Sequence, residues 1–189
     1  MILDSRFVIR FDIIMFSIIV TLLLLIGLLG LVGTLAYGAI SAAPWVPMRT
    51  KDIARMLAVA QLKSTDLVYE LGCGDARLLV AAAQQYRVRA VGFEIALIPY
   101  LLAQFRIWRA GVGDKVTVYY KSFWSISLKQ ADVVFCFLLP GPIDKLSVKF
   151  ETELPSGARF VTYTFKLHGH EPNVVSRSTP TSVPIYSYR

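Results

Sequence analysis

The chain has 189 residues, a formal net charge of +7, 55% hydrophobic residues and a mean hydropathy of +0.55. That length holds one domain of ordinary size plus an appendage, which leaves no room for a separate substrate domain. Two cysteines, Cys73 and Cys136, make no disulfide framework, and the basic excess contains no tight Lys/Arg cluster of the kind that marks nucleic-acid binding.

The hydrophobic excess is local. No charged residue occurs between Ile13 and Met48, and Ile13–Tyr37 is almost wholly apolar. A run of about 20 apolar residues crosses a hydrocarbon core of about 30 Å, so this stretch predicts a transmembrane helix over about 13–37. The small residues Ala39-Ile40-Ser41-Ala42-Ala43 suit signal cleavage. A signal peptide, however, has an apolar core of only about 7–15 residues and a basic leader, whereas Asp4 and Asp12 sit here. Of 20 basic and 13 acidic residues, Arg6, Arg10, Asp4 and Asp12 precede the span, leaving 18 and 11 beyond it. Arg49, Lys51 and Arg55 follow directly, which places the C-terminal part on the cytoplasmic side and lets it lie against anionic headgroups.

Pro44-Trp45-Val46-Pro47 is stiff, since each proline forces its predecessor out of helix. Thr50 is suited to cap a helix with Ile53, Met56, Leu57 and Ala60 on one face. A first strand is expected over Asp66–Leu71, a helix from the following turn to about Tyr86, and a second strand over Val88–Glu94. A helix over about Ala96–Ala110 carries Pro99 in its first turn and ends at Gly111. Lys115–Tyr120 forms a third strand, and Phe123-Trp124 occupies a loop. Ala131–Leu139 is the continuous apolar run of a central parallel strand. After Pro140-Gly141-Pro142 a helix is expected from about Ile143 to Leu154, then a fifth strand over Ala158–Phe165. Val174–Ser176 and Ile185–Tyr188 could pair as an antiparallel hairpin. Five alternations of strand and helix predict an α/β, Rossmann-like, doubly wound parallel sheet.

Within that order, Val68-Tyr69-Glu70-Leu71-Gly72-Cys73-Gly74-Asp75-Ala76-Arg77 is a strand, a glycine turn and a helix N-terminus. Such a turn lets a ligand approach the backbone while the helix end presents N–H groups. The next strand delivers Glu94, where a βαβ unit holds ribose hydroxyls. A dinucleotide fingerprint requires a third glycine where Arg77 stands. An acid before Gly-x-Gly and a second acid after the next strand suit S-adenosylmethionine better, with the turn along its methionyl part and Glu94 on its ribose. Asp75 and Arg77 open a helix, where capping and solvation explain them as well as ligand contact does. His168 and His170 lack a companion acid or thiol cluster and read as surface loop. Asp132, at the amino end of a strand, reads as a solvated edge. Trp124, Tyr163 and Phe165 are most simply core.

From Pro44 onward the chain resembles the class I methyltransferases that trimethylate lysine in the ATP synthase c-subunit and the adenine nucleotide translocase. The likeness rests on Pro44–Pro47, Glu70–Arg77, Ala90–Glu94, Trp108–Gly111, Leu138–Pro140, Glu153–Arg159 and Glu171-Pro172. It covers roughly three quarters of the chain. The resemblance implies an S-adenosylmethionine-binding methyltransferase domain over 65–189, a preceding segment over 44–64 and a membrane anchor over 1–43. It implies cofactor contacts at Glu70, Gly72, Cys73, Gly74, Asp75, Glu94, Ser122 and Phe123, and no metal. The acceptor amine would be oriented by the backbone at Leu138–Pro140, with Leu139 and Pro140 at its centre, and enclosed by Trp45. The chain departs from the family pattern at Ala76, where glycine is usual, at Ser122, where an acid addresses the adenine, and at His170, where an aromatic precedes Glu-Pro. The implied partners are a lipid bilayer and a membrane protein with an interfacial lysine. The implied location is single-pass, with the catalytic domain cytoplasmic, or facing the matrix if the chain is mitochondrial. A lipid amine or small amphiphile as acceptor, and a non-catalytic cofactor-binding relic, are the alternatives.

Overall fold

The computed structural model describes residues 5–41 and 45–189. Asp4, Ala42, Ala43 and Pro44, and with them the expected boundary at 43/44, lie outside the described residues. The first element is the helix α1, Ser5–Ser41, in which Ile13–Thr34 is a 22-residue stretch long and apolar enough to cross a membrane. None of that stretch is buried against the rest of the chain.

The remaining elements run α2 (Thr50–Ala60), β1 (Leu67–Leu71), α3 (Arg77–Tyr86), β2 (Arg89–Glu94), α4 (Leu97–Ala110), β3 (Val116–Tyr120), β4 (Val133–Cys136), α5 (Pro140–Glu153), β5 (Arg159–Tyr163), β6 (Val174–Ser176) and β7 (Ile185–Tyr188). Their seven strands form one sheet in the order β3-β2-β1-β4-β5-β7-β6. β1 to β5 are parallel, whereas β7 is antiparallel to both β5 and β6. The sheet is therefore mixed rather than wholly parallel. The short return after β5 is a hairpin with no crossover helix, and a parallel strand needs one.

All four residues of β4 are buried, because apolar side chains cover both faces of the sheet. α2, α3 and α4 cover one face through Met56, Leu57, Leu79, Ala103 and Ile107. α5 and the segment before β4 cover the other through Leu128, Ile143 and Leu146. The segment that follows α1 is thus part of the folded unit: Met48, Ile53, Met56, Leu57 and Ala60 are buried in the same core as Val161 and Ile185.

Several local expectations shift. Thr50 does not cap α2: Arg49 occupies the cap position, and its carbonyl takes the N–H groups of Asp52 and Ile53 at 2.9 and 3.0 Å. β4 is less than half as long as its apolar run, since it starts at Val133 and residues 137–139 leave the ladder at the carboxyl edge. β5 stops at Tyr163 because Thr164 takes a φ of +81°. α5 begins at Pro140, three residues early. The first turn of a helix has no partner for its N–H groups, so Pro140 and Pro142 fit there without loss.

Two buried ion pairs bind the layers. Arg159 at the start of β5 donates to the carbonyls of Ala60 and Gln61 at 2.8 and 2.6 Å and to Asp66 at 2.6 Å. In α2, Asp52 accepts from Arg55 at 2.9 Å and from the Tyr163 hydroxyl at 2.9 Å. Burial and the Asp52 carboxylate push that phenol up to about 12. Arg55 also donates to the carbonyls of Ser176 and Val183, so this member of the basic flank is a strut between α2 and the hairpin.

Candidate functional site

The strand order reverses between β1 and β4, and the carboxyl ends of those two strands open a crevice there. In open α/β sheets this is where ligands bind. A pocket lies at this point, about 1030 Å³ when the solvent-open space at its mouth is counted. The glycine turn forms its floor, Glu94–Ala96 and Phe123 one wall, Phe137–Leu139 another, and Trp45–Met48 the third.

The turn is held by both backbone and side chain. Gly72 and Cys73 donate to the Phe93 carbonyl at 3.0 and 3.1 Å. Glu94, itself buried, accepts from Gly74 N–H at 2.9 Å through Oε2, and from Ile95 and Ala96 N–H at 2.8 and 2.7 Å through Oε1. One carboxylate thus ties the end of β2 to the turn after β1 and supplies acceptors at the start of α4. Gly72 and Gly74 take φ of +72° and +53°, and a Cβ on Gly74 would stand 2.9 Å from the Trp45 ring. Glycine at 74 is needed both for the turn and for the indole that lies over it. Ala76 also takes a positive φ, +57°, which explains why glycine suits this position; an L-residue there costs about 1 kcal/mol.

Asp75 is clamped rather than solvated. Arg77 donates to its two oxygens at 2.9 and 2.6 Å, and Arg106 from α4 donates to Oδ2 at 2.7 Å and to its carbonyl at 2.9 Å. Burial pushes the Asp75 carboxyl up, but the two guanidiniums outweigh it and hold the group below the usual aspartate value. Arg77 reaches on to the Met48 carbonyl at 2.9 Å, fastening the Trp45–Met48 wall to the turn.

Glu70 is the unbalanced group. Its Oε2 is buried without a hydrogen-bond partner. Burial, then the neighbouring Asp75 and Glu94 carboxylates, push its pKa well above the ordinary glutamate value against the opposing pull of Arg77. An orphaned buried carboxylate lining a pocket fits a ligand that brings a hydrogen-bond donor or a positive charge. Because the folded pKa lies above the unfolded one, the folded chain binds the extra proton, and stability falls as pH rises above about 4.3. Glu70→Gln is therefore expected to stabilise the ligand-free protein by roughly 1–3 kcal/mol at pH 8 and by less at pH 5. Urea unfolding of both proteins at the two pH values checks this.

The pocket brings together Glu70, Gly72, Cys73, Gly74, Asp75, Glu94, Phe123, Trp45 and Leu139. It does not bring in Ser122 or Pro140. The Ser122 hydroxyl accepts from Trp124 N–H at 3.4 Å to cap the short 3-10 turn Phe123–Ser125, and Ser122 faces a second cleft shared with Gly30, Gly33 and Thr34 of α1. Pro140 has become the first residue of α5. The Cys73 side chain packs into the core rather than the pocket: a Cβ on Gly92 would stand 2.5 Å from its Sγ. Burial, with Glu70 and Glu94 near, pushes its pKa well up, so this thiol is inert. His168 is exposed, while His170 is half-buried with its ring 5.0 Å from Phe150 and its Nε2 3.0 Å from Glu151. Asp132 is exposed but accepts from Leu67 N–H at 2.7 Å, which aligns the start of β1.

Sequence reasoning missed Arg106, Gly92, Phe137 and the wall Val46–Met48. Gly92 had a legible signal, since glycine inside a strand marks close approach of another group. Arg106 had none, because its partner lies 31 positions away.

A family profile described as the ANTKMT methyltransferase domain matches residues 70–174. A protein-lysine N-methyltransferase of Saccharolobus islandicus is 36% identical over 133 residues, 70% of this chain and 83% of that protein. The adenine nucleotide translocase lysine N-methyltransferase of Mus musculus is 34% identical over 134 residues, 70% of this chain. This chain spans 57% of the mouse protein's length. An RNA methyltransferase from Salinibacter ruber, solved with bound S-adenosyl-L-homocysteine, superimposes with a TM-score of 0.72 at 29% identity, over 76% of this chain and 92% of that one.

Proposed function

We propose, on the premise that the chain belongs to the ANTKMT methyltransferase family and is an S-adenosylmethionine-dependent methyltransferase, that it methylates a lysine of a membrane protein while anchored through α1. The observation that carries this reading is the composition of the pocket mouth. Trp45, Val46, Phe137, Leu138 and Leu139 line it, and the one cation lining the pocket among the described residues, Arg77, is held by Asp75 and the Met48 carbonyl.

The cofactor supplies a methyl group on a sulfonium sulfur. Glu70 offers its unpaired Oε2 to the methionyl ammonium, Gly72 and Gly74 admit the methionyl chain against the backbone, and Glu94 keeps one lone pair of Oε2 for a ribose hydroxyl. Phe123, backed by Trp124 at 4.7 Å between rings, would pack on the adenine. Ser122 contributes position rather than a charged contact.

The acceptor must arrive uncharged. Deprotonating a lysine of ordinary pKa at neutral pH costs roughly 4–5 kcal/mol. An apolar mouth offsets part of this by disfavouring the ammonium form. The Leu139 carbonyl already accepts the first hydrogen bond of α5, from Ile143 at 3.2 Å, so Leu138 is assigned the orienting carbonyl. Trp45, 39% exposed and seated over Gly74, closes the mouth from the side of α1. Trp45→Ala is expected to lower kcat/KM for the acceptor about 10- to 100-fold, the worth of roughly 1.5–3 kcal/mol of apolar contact. Steady-state kinetics of the parent and Trp45→Ala side by side checks it, and unchanged constants count against the role.

Placement follows the same reading: α1 spans, and exposed Arg49 and Lys51 hold its flank on the cytoplasmic or matrix side. The observation favouring another acceptor is the likeness to the Salinibacter RNA methyltransferase. The test is incubation of the full chain with labelled S-adenosylmethionine and native membranes, followed by separation of protein, lipid and RNA. Label on a protein lysine is expected. Label in lipid or RNA overturns the acceptor class, and no cofactor binding at millimolar concentration overturns catalysis altogether.

A further inference from the structure

Helix α4 is inside out. The stripe it turns to the sheet is Pro99, Ala103 and Ile107, all buried. The stripe it turns outward is Leu101, Phe105 and Trp108, which are 54%, 58% and 75% exposed, with Leu102 beside them at 40%. Leu101, Phe105 and Trp108 stand at i, i+4 and i+7 and make one continuous face, the Phe105 and Trp108 rings 5.8 Å apart. A contiguous apolar face of this size on a soluble protein marks an interaction surface.

Three observations say what covers it. First, α1 packs against α4, and Gly30, Gly33 and Thr34, at the end of its apolar stretch, line one cleft with Ile95, just before α4, and with Tyr120, Lys121 and Ser122 at the end of β3 and after it. The membrane-compatible stretch therefore ends where α4 begins. Second, Leu97–Ala110 contains no acid, and the cations exposed along it are Arg109 in its last turn and Lys121 at the edge of the cleft, since Arg106 is taken by Asp75. Third, the outward aromatics include Trp108 and the flanking, half-exposed Tyr120, whose ring lies 5.3 Å from Tyr100. Tryptophan and tyrosine are the residues that settle at the headgroup level.

We propose that the outward face of α4 lies in the interface of an anionic bilayer, as a second membrane contact that fixes the tilt of the domain. The proposal rests on the reading of α1 as a membrane span. α4 runs antiparallel to the strands, so a bilayer beneath it lies along the sheet, and the pocket at the carboxyl edge opens along the headgroup plane. A lysine held at that plane then reaches the mouth without leaving the membrane surface. The same helix grips the glycine turn from its other side through Arg106 and Asp75, so α4 joins the bilayer contact to the cofactor site.

The test uses the full chain carrying Trp45→Phe and Trp124→Phe, which leaves Trp108 as the single tryptophan of three. It is reconstituted into phosphatidylcholine–phosphatidylglycerol vesicles. Lipids brominated near the headgroup end of their acyl chains are expected to quench roughly half or more of the emission, and aqueous iodide is expected to quench little, as for an interfacial indole. Leu101→Glu/Phe105→Glu in that background alters only exposed side chains, and is expected to lower the lipid quenching several-fold while the chain still floats with the vesicles. Flotation with Trp108 open to iodide and untouched by brominated lipid overturns the α4 contact and leaves the anchor standing. Flotation with Trp108 shielded from both quenchers overturns it in favour of a protein cover, such as a second copy. Failure to float overturns the anchor and the contact together.

Discussion

Glu94→Ala lowers the affinity for S-adenosylmethionine by roughly two to three orders of magnitude and also loosens the ligand-free protein. Two effects add. The direct one is loss of the charge-assisted bond proposed between Glu94 and a ribose hydroxyl, worth about 1.5–3 kcal/mol. The indirect one comes from the three N–H groups, of Gly74, Ile95 and Ala96, that the carboxylate holds at 2.7–2.9 Å. Without it they lose their acceptor, and the turn is no longer preorganised to receive the cofactor. Together they amount to roughly 3–4 kcal/mol, where each 1.4 kcal/mol is tenfold in affinity. Glu94→Gln keeps one acceptor oxygen but turns an amide donor toward donors, so its affinity falls between the two. Calorimetric titration with the cofactor measures the first effect, and thermal unfolding without cofactor measures the second. An affinity within tenfold of the parent for Glu94→Ala would remove Glu94 from the site.

Arg159→Ala costs about 3–5 kcal/mol of stability, because it leaves Asp66 charged and buried with its guanidinium partner gone. The same change strips the Ala60 and Gln61 carbonyls, at the end of α2, of the donors that complete that helix. α2 is the element that joins the Trp45–Met48 wall to the core, so the damage extends from the far edge of β5 to the pocket. Pairing Arg159→Met with Asp66→Leu is expected to cost less than Arg159→Ala alone, since no charge is then stranded. Urea unfolding of the single and double variants checks this. A cost below 1 kcal/mol for Arg159→Ala would show the pair to be dispensable.

The order of elements was readable in the chain because each depends on residues a few positions apart. Period and turn chemistry marked five strands, their helices and the Glu70–Arg77 turn. The deviations have local causes that pattern does not reveal. The run Ala131–Leu139 looks uniform, yet only Val133–Cys136 find ladder partners, and Phe137–Leu139 are released to line the pocket. Pro140-Gly141-Pro142 looks like a terminator, yet proline is welcome in a first turn, which moves Pro140 out of the mouth. Ser122 lies just after β3, as expected, but its hydroxyl is turned to its own 3-10 turn.

Residues near one another in the chain thus dictated the glycine turn, the acid that ends β2 and the long apolar helix, and with them the class of cofactor. Folding alone decided the pairings that give those residues their state. Arg106 meets Asp75 across 31 positions and Arg159 meets Asp66 across 93, and whether Glu70 is paired or orphaned depends on every charge brought within reach. The sidedness of α4 is of the same kind. Its two apolar stripes are both compatible with a core, and hydrophobicity does not choose between them. The smaller stripe, Pro99–Ala103–Ile107, faces inward because α3 and β3 pack closely against it, which leaves the larger stripe outside.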